Sequence, residues 1–347
     1  MKDSVVTIVC TSYNYSQYIS MALDSFLCQE TDFPYDILVV DDCSTDNSRE
    51  ILLDYRDRYP DKISLVFNDR NKGLTRTWID ICDQVTAKYI ARCDADDFWI
   101  DSKKLQKQFD LLESNENSKW CNTEFNIVDE DNKIIHENVF KNGPIAYANT
   151  YSKMLATKGM TLPSSWMIET ELMQKVNHMI APDSVDDGFP MQLEFFHLTE
   201  LTFIEDATVA YRMSSNSDSR PVDPVKMKYR IDGLLKTQLE YLNKYPEQDI
   251  LDIAKIQAEH DAKQEWRIFE MGNLINHLQK DLEISINKLD ELSQNVQELI
   301  QKNEKLSHEY NSVIEKHKKL SHEYNSVIHS LRWTIPTKIL KFLRIRK

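Results

Sequence analysis

The chain has 347 residues, 41% hydrophobic and 28% charged, enough for one substantial domain plus an accessory region. A net charge of −14 argues against nucleic acid as a general partner. No apolar run approaches the ~20 residues of a membrane-spanning helix, no secretory pattern opens the chain, and six cysteines without a CxxC pair fit buried thiols in a reducing cytoplasm better than a disulfide framework or a zinc site.

The first predicted element is a strand over Val5–Cys10, which ends in Thr11, Ser12, Tyr13 and Asn14. A second β-branched run, Asp36–Asp42, closes on the pair Asp41 and Asp42, and the polar stretch after it caps a helix over Arg49–Arg58. A third run, Tyr89–Cys93, exits into Asp94, Asp96 and Asp97. Acids this close repel one another unless a cation offsets them. A hard divalent ion that takes carboxylates plus substrate phosphates is one answer; a solvated acidic turn capping the next helix is the other. Strand, polar loop and helical stretch recur, which predicts an α/β fold with a mostly parallel, Rossmann-like sheet. Its loops should gather at the edge where open sheets bind ligands.

Residues 7–29 (TIVCTSYNYSQYISMALDSFLCQ), 37–48 (ILVVDDCSTDNS), 68–78 (NDRNKGLTRTW) and 92–105 (RCDADDFWIDSKKL) carry a resemblance. In order and spacing they resemble family 2 glycosyltransferases of the GT-A fold, over roughly the first 220 residues. The resemblance implies a metal-dependent, inverting glycosyltransferase of the hexosyltransferase type with a nucleoside-diphosphate sugar donor. By it, Thr11 and Tyr13 flank the nucleotide base, and Asp42 accepts the base's imide N–H. Asp94 contacts the ribose side, and Asp96 binds the Mg²⁺ or Mn²⁺ that bridges the diphosphate. Asp97 is either a second contact or a helix cap. Arg76, after Asn71, Lys72 and Gly73, is a partner for phosphate or an aspartate, or else a surface helix residue.

Ser184–Leu193 resembles the family's acidic pair before an amphipathic helix, which makes Asp187 the general base and Asp186 the second candidate. A helix N-cap with a first-turn acid would satisfy the same residues. The segment Val209–Asn216 departs from the family pattern: Ser214 stands where a His often follows the Arg, and no His lies between His197 and His260. Metal binding then rests on Asp96, diphosphate and water, with Arg212 or Ser214 left as a diphosphate contact.

Pro221 and Pro224 mark a boundary, and 225–271 reads as helices through Met227, Ile231, Leu234, Leu235, Leu239 and Leu242. From Leu278 a heptad begins. One seam carries Leu282, Leu289, Val296, Asn303, Tyr310, His317, Tyr324 and Leu331; the other carries Leu278, Ser285, Leu292, Leu299, Leu306, Val313, Leu320 and Val327. The decapeptide KLSHEYNSVI occurs at 305–314 and again at 319–328. A parallel dimer is expected, with Asn303 fixing register, while Tyr310 and Tyr324 leave a trimer open. His317 reads as a tolerated polar seam residue in preference to a pH sensor. A continuous helix over 272–331 would span on the order of 90 Å.

The last sixteen residues, Arg332–Lys347, hold six basic and no acidic residues. Pro336 can open a helix whose stripe of Ile339, Leu340, Phe342 and Leu343 is bordered by Lys338, Lys341 and Arg344. That pattern favours an anionic membrane surface; docking on the protein's own body is the alternative. The expected organisation is a glycosyltransferase domain at 1–220, a helical extension at 225–271, a coiled coil at 272–331 and a basic amphipathic tail at 332–347. The expected protein is a homodimer, peripheral on the cytoplasmic face of the plasma membrane, that extends a lipid-linked surface polysaccharide. An inactive sugar-nucleotide-binding scaffold is the alternative.

Overall fold

Val6, Ile8, Val9 and Cys10 are wholly buried in β1 (Val6–Ser12), as a run apolar on both faces must be when helices cover both sides of a sheet. α1 (Ile19–Leu27) turns Ile19, Ala22, Leu23 and Phe26 inward at helical spacing. β2 (Tyr35–Asp41), α2 (Ser48–Arg58), β3 (Ile63–Phe67), α3 (Leu74–Cys82) and β4 (Tyr89–Arg92) continue the alternation. The four strands run parallel in the order β3-β2-β1-β4, with Val9 opposite both Leu38 and Arg92. The structure is a computed structural model that describes residues 4–143, 145, 147–182, 184, 186–213, 223–245 and 249–344, with side chains as far as Ser330 and at Lys341.

Beyond β4 the pattern changes. β5 (Phe98–Trp99), α4 (Lys104–Glu113), β6 (Ser118–Val128), β7 (Ile134–His136), α5 (Val139–Asn142), α6 (Tyr151–Thr157), β8 (Met167–Glu169), α7 (Thr170–Asn177), α8 (Gly188–Leu198) and β9 (Glu200–Arg212) follow. β8 sits antiparallel between β4 and β6, β9 runs parallel to β6, and β5 and β7 add antiparallel to β9 and β6. Four of the eight pairings among the described residues are therefore parallel, and the sheet is mixed, not mostly parallel. The physical reason is that strands of two and three residues, such as β5 and β8, carry no period to read.

One core lies under α1, α2 and α4, and a second joins Trp78 and Ile81 of α3 to Trp120, Trp166, Met173 and Phe195. A third gathers Tyr151, Met154 and Leu155 of α6, Phe189 and Leu193 of α8, Tyr241 of α9 (Pro224–Lys244) and Ile253 of α10 (Ile250–Arg344). Since α8 lies between the second and third cores, Gly188 through Phe195 are all buried, and the expected amphipathic face is absent. Asp223 caps α9 by accepting from the Val225 N–H at 2.8 Å, and Pro224 takes the first helical position, where its missing N–H costs nothing. Pro221 lies outside the described residues.

The chain divides into two compact units, 1–263 and 264–347. In the second, both heptad seams lie exposed along α10: Leu282, Leu289, Tyr310 and Tyr324 on one, Leu278, Leu292, Leu299 and Leu320 on the other. Pro336, expected to open a separate helix, lies within α10, although a proline forfeits the bond to the Arg332 carbonyl one turn back. The side chains of the expected tail stripe lie outside the described residues. No helix of the described residues is long and apolar enough to cross a membrane.

Candidate active site

Parallel register brings the ends of β1, β2 and β4 to one edge of the sheet. There the Thr11 hydroxyl donates to Asp94 Oδ1 at 2.9 Å, the Ala95 N–H donates to the Thr11 carbonyl at 3.1 Å, and the Asp42 N–H donates to the Ser12 carbonyl at 2.9 Å. Tyr13 stands 43% exposed at the same edge, free to meet a planar ligand. Asn14 beside it adopts φ 57° and ties the loop across to the one that follows β2 by accepting from the Thr45 N–H at 2.8 Å.

Asp42 is buried and its carboxylate is in use. Oδ1 accepts from Asn68 Nδ2 at 2.7 Å and from the Lys72 N–H at 3.0 Å, and Oδ2 accepts from the Gly73 N–H at 2.9 Å. Two successive amides converge on one carboxylate, and the chain then turns at Gly73 with φ 82°, a conformation that strains any other residue. Asp42 thus holds the 68–73 loop, and a base imide would have to join or displace those donors. Arg76, in the first turn of α3, is half exposed and pairs with Asp80 at 3.3 Å, not with a strand-exit aspartate.

The three acids after β4 separate by environment. Asp94 is a quarter exposed and faces Arg92 as well as Thr11. Asp96 is half-buried with the Tyr15 hydroxyl beside it; burial, and then the charge of Asp94, pushes its carboxyl up to about 7. Asp97 is a strut. It accepts from the Ser164 hydroxyl and, at 2.8 Å, from the Arg212 N–H, while burial followed by Asp96 raises its pKa well above the carboxylate range. Asp97 therefore caps no helix, which corrects that expectation. Arg212 is likewise committed: Nε donates to the Asp96 carbonyl at 2.8 Å, Nη1 to the Asp129 carbonyl at 3.1 Å, and the guanidinium lies 4.3 Å from the Tyr18 ring. It braces the loop. Ser214 lies outside the described residues.

Asp186 and Asp187 differ in their partners. Asp186 Oδ1 accepts the Phe189 N–H at 2.8 Å, which caps α8, and its other oxygen pairs with Arg230 of α9. Asp187 makes no cap bond; its Oδ2 accepts from Arg92 Nη1 at 3.0 Å. Arg92 is buried, and its ion pairs with Asp187 and then Asp94 hold it protonated against the opposing effect of burial. Sequence reasoning missed Arg92, Arg230 and Tyr15. The signal for Arg92 was a lone arginine in an apolar strand.

Among the described residues no cluster of three His, Cys, Asp or Glu could hold a metal alone. Asp96, whose carboxyl burial and then the charge of Asp94 drive towards its neutral form, is a hard oxygen donor at the site, while Asp94 already faces Arg92. Asp96 fits a Mg²⁺ or Mn²⁺ completed by diphosphate and water oxygens.

The family model "Glycosyl transferase family 2" matches residues 7–176. An uncharacterized protein of Mycobacterium tuberculosis is 34% identical over 126 residues, 36% of this chain and 36% of that protein, so the chain matches about a third of that relative's length. The Escherichia coli enzyme UDP-Glc:alpha-D-GlcNAc-diphosphoundecaprenol beta-1,3-glucosyltransferase WfgD is 30% identical over 160 residues, 46% of this chain and 58% of that one. Among solved structures, S. aureus TarS 1-349 in complex with UDP superposes with a TM-score of 0.52 at 17% identity, covering 74% of this chain and 70% of that chain. At that identity the likeness establishes the fold, a mixed α/β sheet of the GT-A type.

Proposed function

We propose that the protein, whose residues 7–176 match the glycosyl transferase family 2 model, transfers a sugar from a nucleoside-diphosphate donor to a hydroxyl of a surface polysaccharide or its lipid-linked precursor, with inversion at the anomeric carbon. Thr11, Tyr13, Asp42 and Asp94 line the nucleoside side of the site, and Asp96 faces the diphosphate. A bound Mg²⁺ or Mn²⁺ supplies charge stabilisation for the leaving diphosphate. Asp187 takes the proton of the acceptor hydroxyl as that oxygen bonds to the anomeric carbon. On the opposite face the bond from that carbon to the diphosphate oxygen breaks, and its electron pair leaves with the diphosphate. Asp187 stands ahead of Asp186 because capping and Arg230 already occupy Asp186.

The observation that carries this reading is that Asp94 and Asp187, from distant parts of the chain, meet at one buried arginine beside the exits of β1 and β4. Structures of TarS in complex with UDP and with UDP-GlcNAc support a nucleotide-sugar donor, and the printed name of WfgD supports a diphosphoundecaprenol-linked acceptor. The exposed seams of α10 support a parallel homodimer over 272–331, and the basic residues of 332–347 support a peripheral site on an anionic, cytoplasmic membrane face. Asp187→Asn is expected to keep donor affinity and lower kcat by about 10²-fold or more; wild-type turnover in that variant would refute the assignment.

A further inference from the structure

The Arg92 side chain is 1% exposed, with its guanidinium 4.3 Å from the centre of Trp78 and 5.7 Å from that of Trp166. Nη1 donates to Asp187 Oδ2 at 3.0 Å, whereas Nε faces Asp94 Oδ1 at 3.5 Å and makes no hydrogen bond. A guanidinium is costly to bury unless carboxylates use its charge. Its planar fork, held near two indoles, also fixes where those carboxylates stand. Here the fork reaches the strand exit at Asp94 on one side and the start of α8 at Asp187 on the other.

We propose that Arg92 is a positioning residue for sugar transfer. It pins one oxygen of Asp187, leaves the other for the acceptor hydroxyl, and ties that orientation to the donor side through Asp94. The logic is that of an oriented base, in which a third group fixes the residue that takes the proton. The inference rests on the reading of Asp187 as the base. Lysine keeps the charge but cannot span both carboxylates or present a planar face to the indoles.

The test measures kcat and donor KM for nucleoside-diphosphate release by the full chain, together with donor affinity and melting temperature. Arg92→Lys is expected to lower kcat by about 10- to 100-fold, the scale of a small misplacement at a reacting centre, with donor affinity changed less than about 3-fold. In an Asp187→Asn background the same change should cost no further turnover, because Arg92 acts through Asp187. An independent loss in that background, or wild-type kcat in the single variant, would overturn the proposal. Trp78→Phe carries the test if Arg92→Lys does not fold. The Trp78 indole N–H has no partner, so that change removes a ring face and no hydrogen bond. It should lower kcat several-fold at unchanged donor affinity, and unchanged kcat would count against the proposal. Asp187→Asn alone separates the two ideas: if it retains turnover the base assignment fails, and if it loses turnover while Arg92→Lys does not, only the role of Arg92 fails.

Discussion

Lys104 is fully buried, with Nζ on Gln108 Oε1 at 2.6 Å and the Trp99 ring centre 4.1 Å away. Burial pushes its pKa down to about 7, against 10.5 ordinarily. Below pH 7 the group is charged in both folded and unfolded states, and the folded protein bears the whole penalty. Between about 7 and 10 the unfolded chain holds one more proton than the folded one, so stability rises with pH, by up to about 1.4 kcal/mol per pH unit. Relative to wild type, Lys104→Met should therefore gain most in melting temperature near pH 6 and least near pH 9; an offset independent of pH would mean that Lys104 does not titrate as assigned. Lys104 was unreadable as a core residue because a lysine at a helix start reads as solvated. Asp94, Asp96 and Asp187 were singled out through motif resemblance, which needs only local order, and the structure brings Asp94 and Asp187 to the same arginine. The partners of Asp97 and Arg212 were not legible, because Ser164 and the carbonyls of Asp96 and Asp129 come from segments far away in sequence.

The contact between α8 and α9 depends on Glu194, which is wholly buried and accepts from the Tyr241 hydroxyl, Lys244 Nζ and the Tyr245 hydroxyl. Glu194→Ala would leave two phenolic hydroxyls and a partly exposed ammonium without that acceptor. A loss of about 2–4 kcal/mol in chemical denaturation is expected, and a loss under about 0.5 kcal/mol would show that the network is ornamental. Three of the four parallel strands, β1, β2 and β4, were legible because each apolar run closes on a polar loop, whereas β3 was not read. β8 was not, since three residues after a one-turn 3-10 helix at Pro163–Ser165 give no alternation to count. Nor was the burial of α8, because its outer side is covered by α6 and α9 from outside the motif.

At the scale of the whole molecule, the heptad was legible because its period of seven persists over eight turns of the pattern and two copies of one decapeptide. The single chain leaves both seams exposed, the state expected of a helix that buries them against a second copy. A chain ending at Lys263, which keeps all three cores, should sediment as a monomer while the full chain sediments as a dimer. A dimeric short form would place the interface in the first unit. In the same pair of preparations, removal of Arg332–Lys347 should abolish co-sedimentation with anionic vesicles, and equal binding would contradict a membrane role for the tail.

The central claim is that strand-exit aspartates hold a cation and an activated sugar. Its most direct test is nucleoside-diphosphate release from a panel of nucleotide sugars, with and without Mn²⁺, by wild type and Asp96→Asn. The account predicts metal-dependent release from at least one sugar nucleotide, accompanied by a rise in melting temperature with that ligand, and loss of both in the variant. Release that persists unchanged in Asp96→Asn, or a panel with neither release nor a thermal shift in wild type, would contradict it.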